Sequence, residues 1–183
     1  MKLTKTFLTT VLLGASIFSF QSMALADTPD QQFQQGFEAS TRGDYQTAFK
    51  LWLPLAEQGY ASAQFNLGVI YENGQGVKQD YFEAVKWYRK AAEQGDAKAQ
   101  LYLGNMYADG RGVKQDDFEA VKWFSKAADQ GNAASQFVLG MSYLLGKGVQ
   151  VNKSLAKEWL GKACDNGEQK GCEIYGKLNR GEM

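Results

Sequence analysis

The sequence predicts an all-α solenoid built from helix hairpins. Three observations carry this. First, Asp44, Asp80, Asp116 and Asn152 each open a similar stretch, and they stand 36 residues apart. The copy from Asp80 reads DYFEAVKWYRKAAEQGDAKAQLYLGNMYADGRGVKQ, and the next reads DDFEAVKWFSKAADQGNAASQFVLGMSYLLGKGVQV. Second, apolar residues recur within each copy at helical spacing. Third, glycines close each copy at matching points, as loops between helices require. A fixed period in this range means that each unit packs only on its neighbours. Such folds mostly present surfaces for binding, which lowers the expectation of an enzyme.

The elements follow in order. Residues 1–26 read as a secretory signal peptide. Lys2 and Lys5 give a basic start, Phe7 to Phe20 is mostly apolar, and Ala24-Leu25-Ala26 places small residues before Asp27. The apolar run is too short and too polar for a membrane span. No Cys lies near the cleavage point to take a lipid anchor. Residues 27–183 then form one elongated domain. Its repeats run at about 44–79, 80–115, 116–151 and 152–183, preceded by a helix at about 30–41.

That first helix joins a second, at about 44–58, through Arg42-Gly43. Pro54 inside the second helix is expected to kink it. In the next copy Asp80 is the N-cap, with Glu83 placed to complete a capping box. Ala84, Trp87, Tyr88, Ala91 and Ala92 form the buried stripe, and Gly95 ends the helix. Asp96 caps the following helix, which carries Ala99, Leu103, Gly104 and Tyr107. Gly110-Arg111-Gly112-Val113 is a loop whose valine is expected to tuck under the hairpin as a plug. Ala84, Ala99 and Gly104 let helices approach closely, and the aromatic residues fill the gaps between them. Hairpins are thus expected at about 30–58, 60–94, 96–130 and 132–165. A last helix at about 168–179 covers the end, with Glu173, Lys177 and Arg180 facing solvent.

Charge and cysteines narrow the function. The chain holds 20 basic and 20 acidic residues. Without Lys2 and Lys5 the balance is slightly acidic, so nothing favours nucleic acid or an anionic membrane. Cys164 and Cys172 are the only cysteines, and an even count in an exported protein favours a disulfide. Cys164 stands at the repeat position of Ala56, Ala92 and Ala128, and Cys172 at that of Gln64, Gln100 and Gln136. These positions face each other across a tight turn at Gly167. The sequence has no His, which argues against a zinc site and removes Ser-His and Cys-His catalysis. No phosphate loop is present, and no cofactor is expected. Asp116 and Asp117 lie at a helix start, where acids serve helix stability and no cleft is foreseen. Ser154 and Lys157 make an isolated S-x-x-K match without companion motifs.

The pattern A-x-x-x-L-G-x-x-Y-x-x-G-x-G-V-x-x-D-x-x-x-A-x-x-W, seen from Ala63 to Trp87, resembles the Sel-1-like repeat, a relative of the tetratricopeptide repeat. Leu67-Gly68, Tyr71, Gly74, Gly76, Val77, Asp80, Ala84 and Trp87 carry it and recur 36 residues later. The last copy departs, with Tyr175 for Leu and Asn179 for Tyr. The resemblance implies a right-handed superhelix with a concave inner face. It also implies a non-catalytic scaffold that binds a protein or peptide, periplasmic or secreted in exported bacterial members. The cysteine spacing resembles the secreted cysteine-rich branch, which implies as alternatives a β-lactam-binding or weakly hydrolysing protein, or a host-cell interaction factor. That branch carries a cysteine pair in most repeats, and here only one repeat has it.

By analogy with the tetratricopeptide fold, the first helix of each pair lines the concave face. Register then places there Phe33 and Phe37; Phe65, Val69 and Glu72; Leu101, Asn105 and Ala108; and Phe137, Met141, Leu144 and Leu145. Many are apolar although Leu67, Leu103 and Leu139 already build the core. Two readings stand: an exposed strip that takes a peptide, or packing between the repeats of a tight superhelix.

Overall fold

A computed structural model describes residues 28–182. The signal-peptide reading falls outside them. The described residues form nine α-helices and no strand: α1 (Pro29–Thr41), α2 (Tyr45–Glu57), α3 (Ala61–Asn73), α4 (Tyr81–Glu93), α5 (Ala97–Asp109), α6 (Asp117–Asp129), α7 (Ala133–Leu145), α8 (Lys153–Asp165) and α9 (Gln169–Asn179). Each packs chiefly on the helices before and after it in the chain. The architecture is therefore the expected solenoid of hairpins.

Local chemistry sets the helix ends. Asp44, Asp96, Asp116, Asn132 and Asn152 each accept the backbone N–H three residues on, which satisfies one of the orphan donors of a first turn. Asp80 accepts from both Phe82 and Glu83. The capping box expected there is only half formed. The Asp80 N–H already donates to the Tyr71 carbonyl at 3.0 Å, and the Glu83 carboxylate accepts from Lys86 Nζ instead. Pro54 lies within α2, and the helix continues past it to Glu57. Gly74, Gly110 and Gly146 end α3, α5 and α7 in the left-handed conformation. The second glycine of each loop has a different task. A Cβ on Gly112 would lie 2.2 Å from the Tyr81 carbonyl oxygen, because this loop rests on the first turn of α4. Val77, Val113 and Val149 pack against the three core clusters, so the plug expected at Val113 forms in each of the three loops with paired glycines.

Within each hairpin the packing follows one rule. A glycine on an odd-numbered helix receives a large side chain from the next even-numbered helix. A Cβ would meet Trp52 at 2.5 Å from Gly36, Tyr88 at 2.5 Å from Gly68, Phe124 at 2.4 Å from Gly104 and Leu160 at 2.8 Å from Gly140. Leu67, Leu103 and Leu139 lie beside these sockets and are fully buried, each contributing about 1.5–3 kcal/mol. Polar ties accompany the apolar ones. Gln64, Gln100 and Gln136 are buried, and each donates Nε2 to the carbonyl of Ala56, Ala92 or Ala128. Their Oε1 atoms accept from Gln94, Gln130 and Asn166 at 2.7–2.8 Å. Cys164 and Cys172 are joined by a disulfide, with Cα atoms 4.5 Å apart.

Candidate interaction surface on the odd-numbered helices

The residues expected on the inner strip divide into two groups. Phe37 is 51% exposed and Leu145 66%. The remainder are half-buried. Phe33 lies against Trp52, with ring centroids 6.0 Å apart. Phe65 meets Tyr88 at 5.8 Å and Tyr102, on the next odd-numbered helix, at 5.3 Å. Val69 packs against the same cluster. Leu101 and Ala108 pack against the cluster that holds Phe124. Asn105, Phe137, Met141 and Leu144 are half-buried. Phe33, Phe65 and Leu101 thus pack against neighbouring helices, while Phe37 and Leu145 project outward.

The same face holds a series of equivalent positions. Between α1 and α3 a cavity of about 260 Å3 is lined by Phe37, Ser40, Trp52, Asn66, Val69 and Gln75, among others. The Trp52 indole forms its wall in a fixed orientation, because Nε1 donates to the Phe33 carbonyl at 3.1 Å. Two repeats on, between α5 and α7, a cavity of about 100 Å3 is lined by Asn105, Asp117, Phe124, Val138, Ser142 and Lys147. Trp52, Asn66 and Gln75 correspond to Phe124, Val138 and Lys147 at a spacing of 72 residues.

The intervening position, between α3 and α5, is filled. Tyr88 Oη donates to Glu72 Oε2 at 2.7 Å, and Arg111 Nη1 donates to Glu72 Oε1 at 2.7 Å. Arg111 also binds Asp109 and lies over the Tyr81 ring. Burial works against the Arg111 charge, but the Glu72 carboxylate outweighs it and holds the guanidinium pKa above its ordinary value. Burial first, and then the Glu72 carboxylate, hold the Tyr88 hydroxyl pKa far above the tyrosine range.

Asp117 is the residue that sequence reasoning missed. It lies in the cavity between α5 and α7, where no cleft was foreseen. Lys147 Nζ is 3.5 Å from its Oδ1, and that oxygen is buried without a hydrogen bond. A signal existed: the residue between the two loop glycines changes from Gln75 to Arg111 to Lys147 while the frame around it repeats. Ser154 and Lys157 are both exposed on α8, beside Glu158, Lys162 and Tyr175, and Lys162 Nζ donates to Glu158 at 2.6 Å. Among the described residues no group of three acidic or cysteine side chains is placed to hold a metal ion. No described helix is long and apolar enough to cross a membrane.

The stacked hairpins, glycine sockets and repeated loops define a helical-repeat protein. The Sel1 repeat pattern matches residues 33–60, 61–96, 97–132 and 133–168, and the chain belongs to the Sel1 repeat family. These units and those that start at Asp80 or Asp116 are one 36-residue period cut at different points. Members of the family are generally protein-interaction scaffolds and typically non-enzymatic. Similar solved structures include a protective antigen of uropathogenic Escherichia coli displaying an SLR fold, 39% identical with a TM-score of 0.78. The match covers 84% of this chain and 34% of that one. A Sel1 repeat protein from Oxalobacter formigenes is 34% identical with a TM-score of 0.75, over 81% of this chain and 63% of that one. Cysteine-rich protein B of Helicobacter pylori is 26% identical with a TM-score of 0.57, over 74% and 98%. The chain thus spans about a third of the first relative's length and less than two thirds of the second's. No curated protein matches the sequence.

Proposed function

We propose that this protein is a non-catalytic scaffold of the periplasm or the secreted fraction, and that it binds a partner polypeptide along the odd-helix face. The observation that carries this is the cavity between α1 and α3. An exposed phenylalanine, Phe37, stands at a hollow lined by Trp52, Val69 and Ile70 together with the amides of Asn66 and Gln75 and the hydroxyl residues Ser40, Thr41 and Tyr45. A hollow that mixes apolar and amide side chains suits an extended peptide: one side chain enters and the peptide backbone bonds the amides. Val69, Asn105, Met141 and Leu144 continue the contact surface, with Phe33, Phe65, Leu101 and Phe137 as its floor. Export is supported by the disulfide and by the signal-peptide character of residues 1–26.

The test is affinity capture with the purified protein and a Phe37→Ser variant, each probed with periplasmic extract and culture medium. A polypeptide held by the wild type and lost by an equally stable variant supports the reading. Equal retention by both, or no retained polypeptide, counts against it.

A further inference from the structure

We infer that the groove along α4 is a second interaction site and takes an acidic polypeptide segment, which packs an apolar side chain on Phe82 and pairs a carboxylate with Arg89. It stands apart from the odd-helix reading above, because it uses none of that surface's residues. The groove encloses about 280 Å3 between α4 and the loop that rests on it. Its two halves differ. Phe82, Val85 and Val113 make one half apolar; Val85 is buried there, whereas Phe82 is 69% exposed. Phe118, the equivalent residue of α6, is exposed to the same degree. Lys86, Arg89 and Lys90 line the other half.

The repeat shows which of these charges the fold itself uses. Lys86 binds Glu83 as Lys122 binds Glu119 in the next copy. Lys90 lies 4.1 Å over the Trp87 ring, as Lys126 does over Trp123. Arg89 has no such counterpart. Its equivalents are Leu53, Ser125 and Gly161, so the hairpin packs without a guanidinium there. Arg89 is half-buried, and its Nη2 donates to Tyr107 Oη at 2.7 Å, which orients the group. Among the described residues no carboxylate pairs with it. Glu93 is the one acid of the lining, and Glu83 offsets Lys86, so Arg89 and Lys90 leave the groove positive.

These groups select the ligand. A guanidinium oriented by one hydroxyl offers its remaining N–H groups as a planar fork, which fits a carboxylate. Phe82 and Arg89 lie two turns apart on one helix, so about 10 Å separates the apolar end from the basic one. The ligand therefore presents an apolar group and a carboxylate that far apart, as two nearby side chains of a polypeptide do. A fatty acid has the same two groups. Lys86, Lys90 and Glu93 are exposed along the groove, however, and an acyl chain lying there would stay in water. An exposed aromatic beside an arginine is also the pairing on which protein interfaces most often concentrate their affinity.

The experiment is selection from a displayed library of random peptides on the purified protein. The selected peptides are titrated against wild type, Arg89→Ser, Phe82→Ser and Phe37→Ser. The first two substitutions borrow residues the fold already accepts, since Ser125 and Ser154 hold the equivalent positions. Expected are peptides that combine Asp or Glu with an apolar residue. Arg89→Ser and Phe82→Ser should each weaken them about tenfold or more, and Phe37→Ser should leave them unchanged. Replacing the peptide's acid by its amide should weaken binding to wild type but not to Arg89→Ser, because the partner charge is already gone. This last arm needs no further protein variant, so a fold defect cannot mimic it. An amide substitution that costs wild type and Arg89→Ser alike would overturn the inference, as would peptides without acidic residues or no selected peptides. Peptides lost by Phe37→Ser and held by Arg89→Ser would also overturn it, and would support the odd-helix surface instead.

Discussion

Cys172 stands in the last hairpin where Gln136 stands in the one before. Its bond to Cys164 takes the place of the hydrogen bond that Gln136 Nε2 donates to the Ala128 carbonyl at 3.1 Å. The chain thus changes a polar tie for a covalent one at its final turn. The inner hairpins are covered on both sides, whereas α9 among the described helices has α8 as its main neighbour.

The disulfide closes a short loop, with a sequence separation of 8, so its removal should cost about 2–3 kcal/mol. The double substitution Cys164→Ala/Cys172→Ala should lose that amount, chiefly as reduced amide protection in α9. Cys164→Ala/Cys172→Gln rebuilds the arrangement of the inner hairpins and should recover about 1 kcal/mol. Hydrogen exchange resolved by helix distinguishes the two. Equal loss in both variants would show that the amide cannot replace the bridge.

The glycine sockets predict different outcomes for one substitution at two equivalent positions. A Cβ on Gly104 would lie 2.4 Å from the Phe124 ring. Gly104→Ala should therefore cost about 1–3 kcal/mol in overpacking, and pairing it with Phe124→Leu should relieve part of the loss. A Cβ on Gly176 would meet only the flexible end of Arg180, at 3.2 Å. Gly176→Ala should be neutral or stabilise by up to about 1 kcal/mol through helix propensity. Denaturant midpoints decide both.

Tyr88 predicts a pH dependence. Its hydroxyl pKa in the folded protein is held far above the tyrosine range by burial and then by Glu72. In the unfolded chain it titrates near about 10. A raised folded pKa adds stability below the unfolded value, and that stability is lost as pH rises past it. Tyr71 acts in the same direction, raised by burial and then by Glu83. The melting temperature should fall above about pH 10, and Tyr88→Phe should fall less steeply. At neutral pH the same substitution should cost about 1 kcal/mol, because Glu72 loses a donor. Melting curves across the alkaline range measure both effects. Identical slopes for the two proteins would mean that Tyr88 ionises without disturbing the fold.

Phe65 and Phe37 separate packing from surface. Phe65 is held against the Tyr88 and Tyr102 rings, so Phe65→Ala should lower stability by about 2 kcal/mol or more. Phe37 is half exposed, and Phe37→Ser should change stability by less than about 1 kcal/mol. Thermal unfolding of the two variants checks this. A large loss for Phe37→Ser would place it in the core.

The sequence by itself determined whatever repeats. The 36-residue period, the capping residues, the loop glycines and the facing of Cys164 and Cys172 all depend on contacts within a hairpin or between adjacent ones, and such contacts recur with the period. Of the glycine sockets the sequence marked Gly104 as a point of close approach, while its pairing with Phe124 emerged from the packing. The tertiary structure alone decided the features that break the period. Glu72 and Arg111 are 39 residues apart, and Asp117 and Lys147 are 30 apart. Neither pair follows from a pattern, since the equivalents of Glu72 are Ala108 and Leu144 and those of Arg111 are Gln75 and Lys147. The capping box at Asp80 failed for a related reason: an N–H that looked free along the chain was claimed by a carbonyl brought back by the loop. Periodicity averages over the copies, so it reports the shared scaffold. Where one copy differs, its partner is chosen by stacking in space, and that is where the surface of this protein acquires its chemistry.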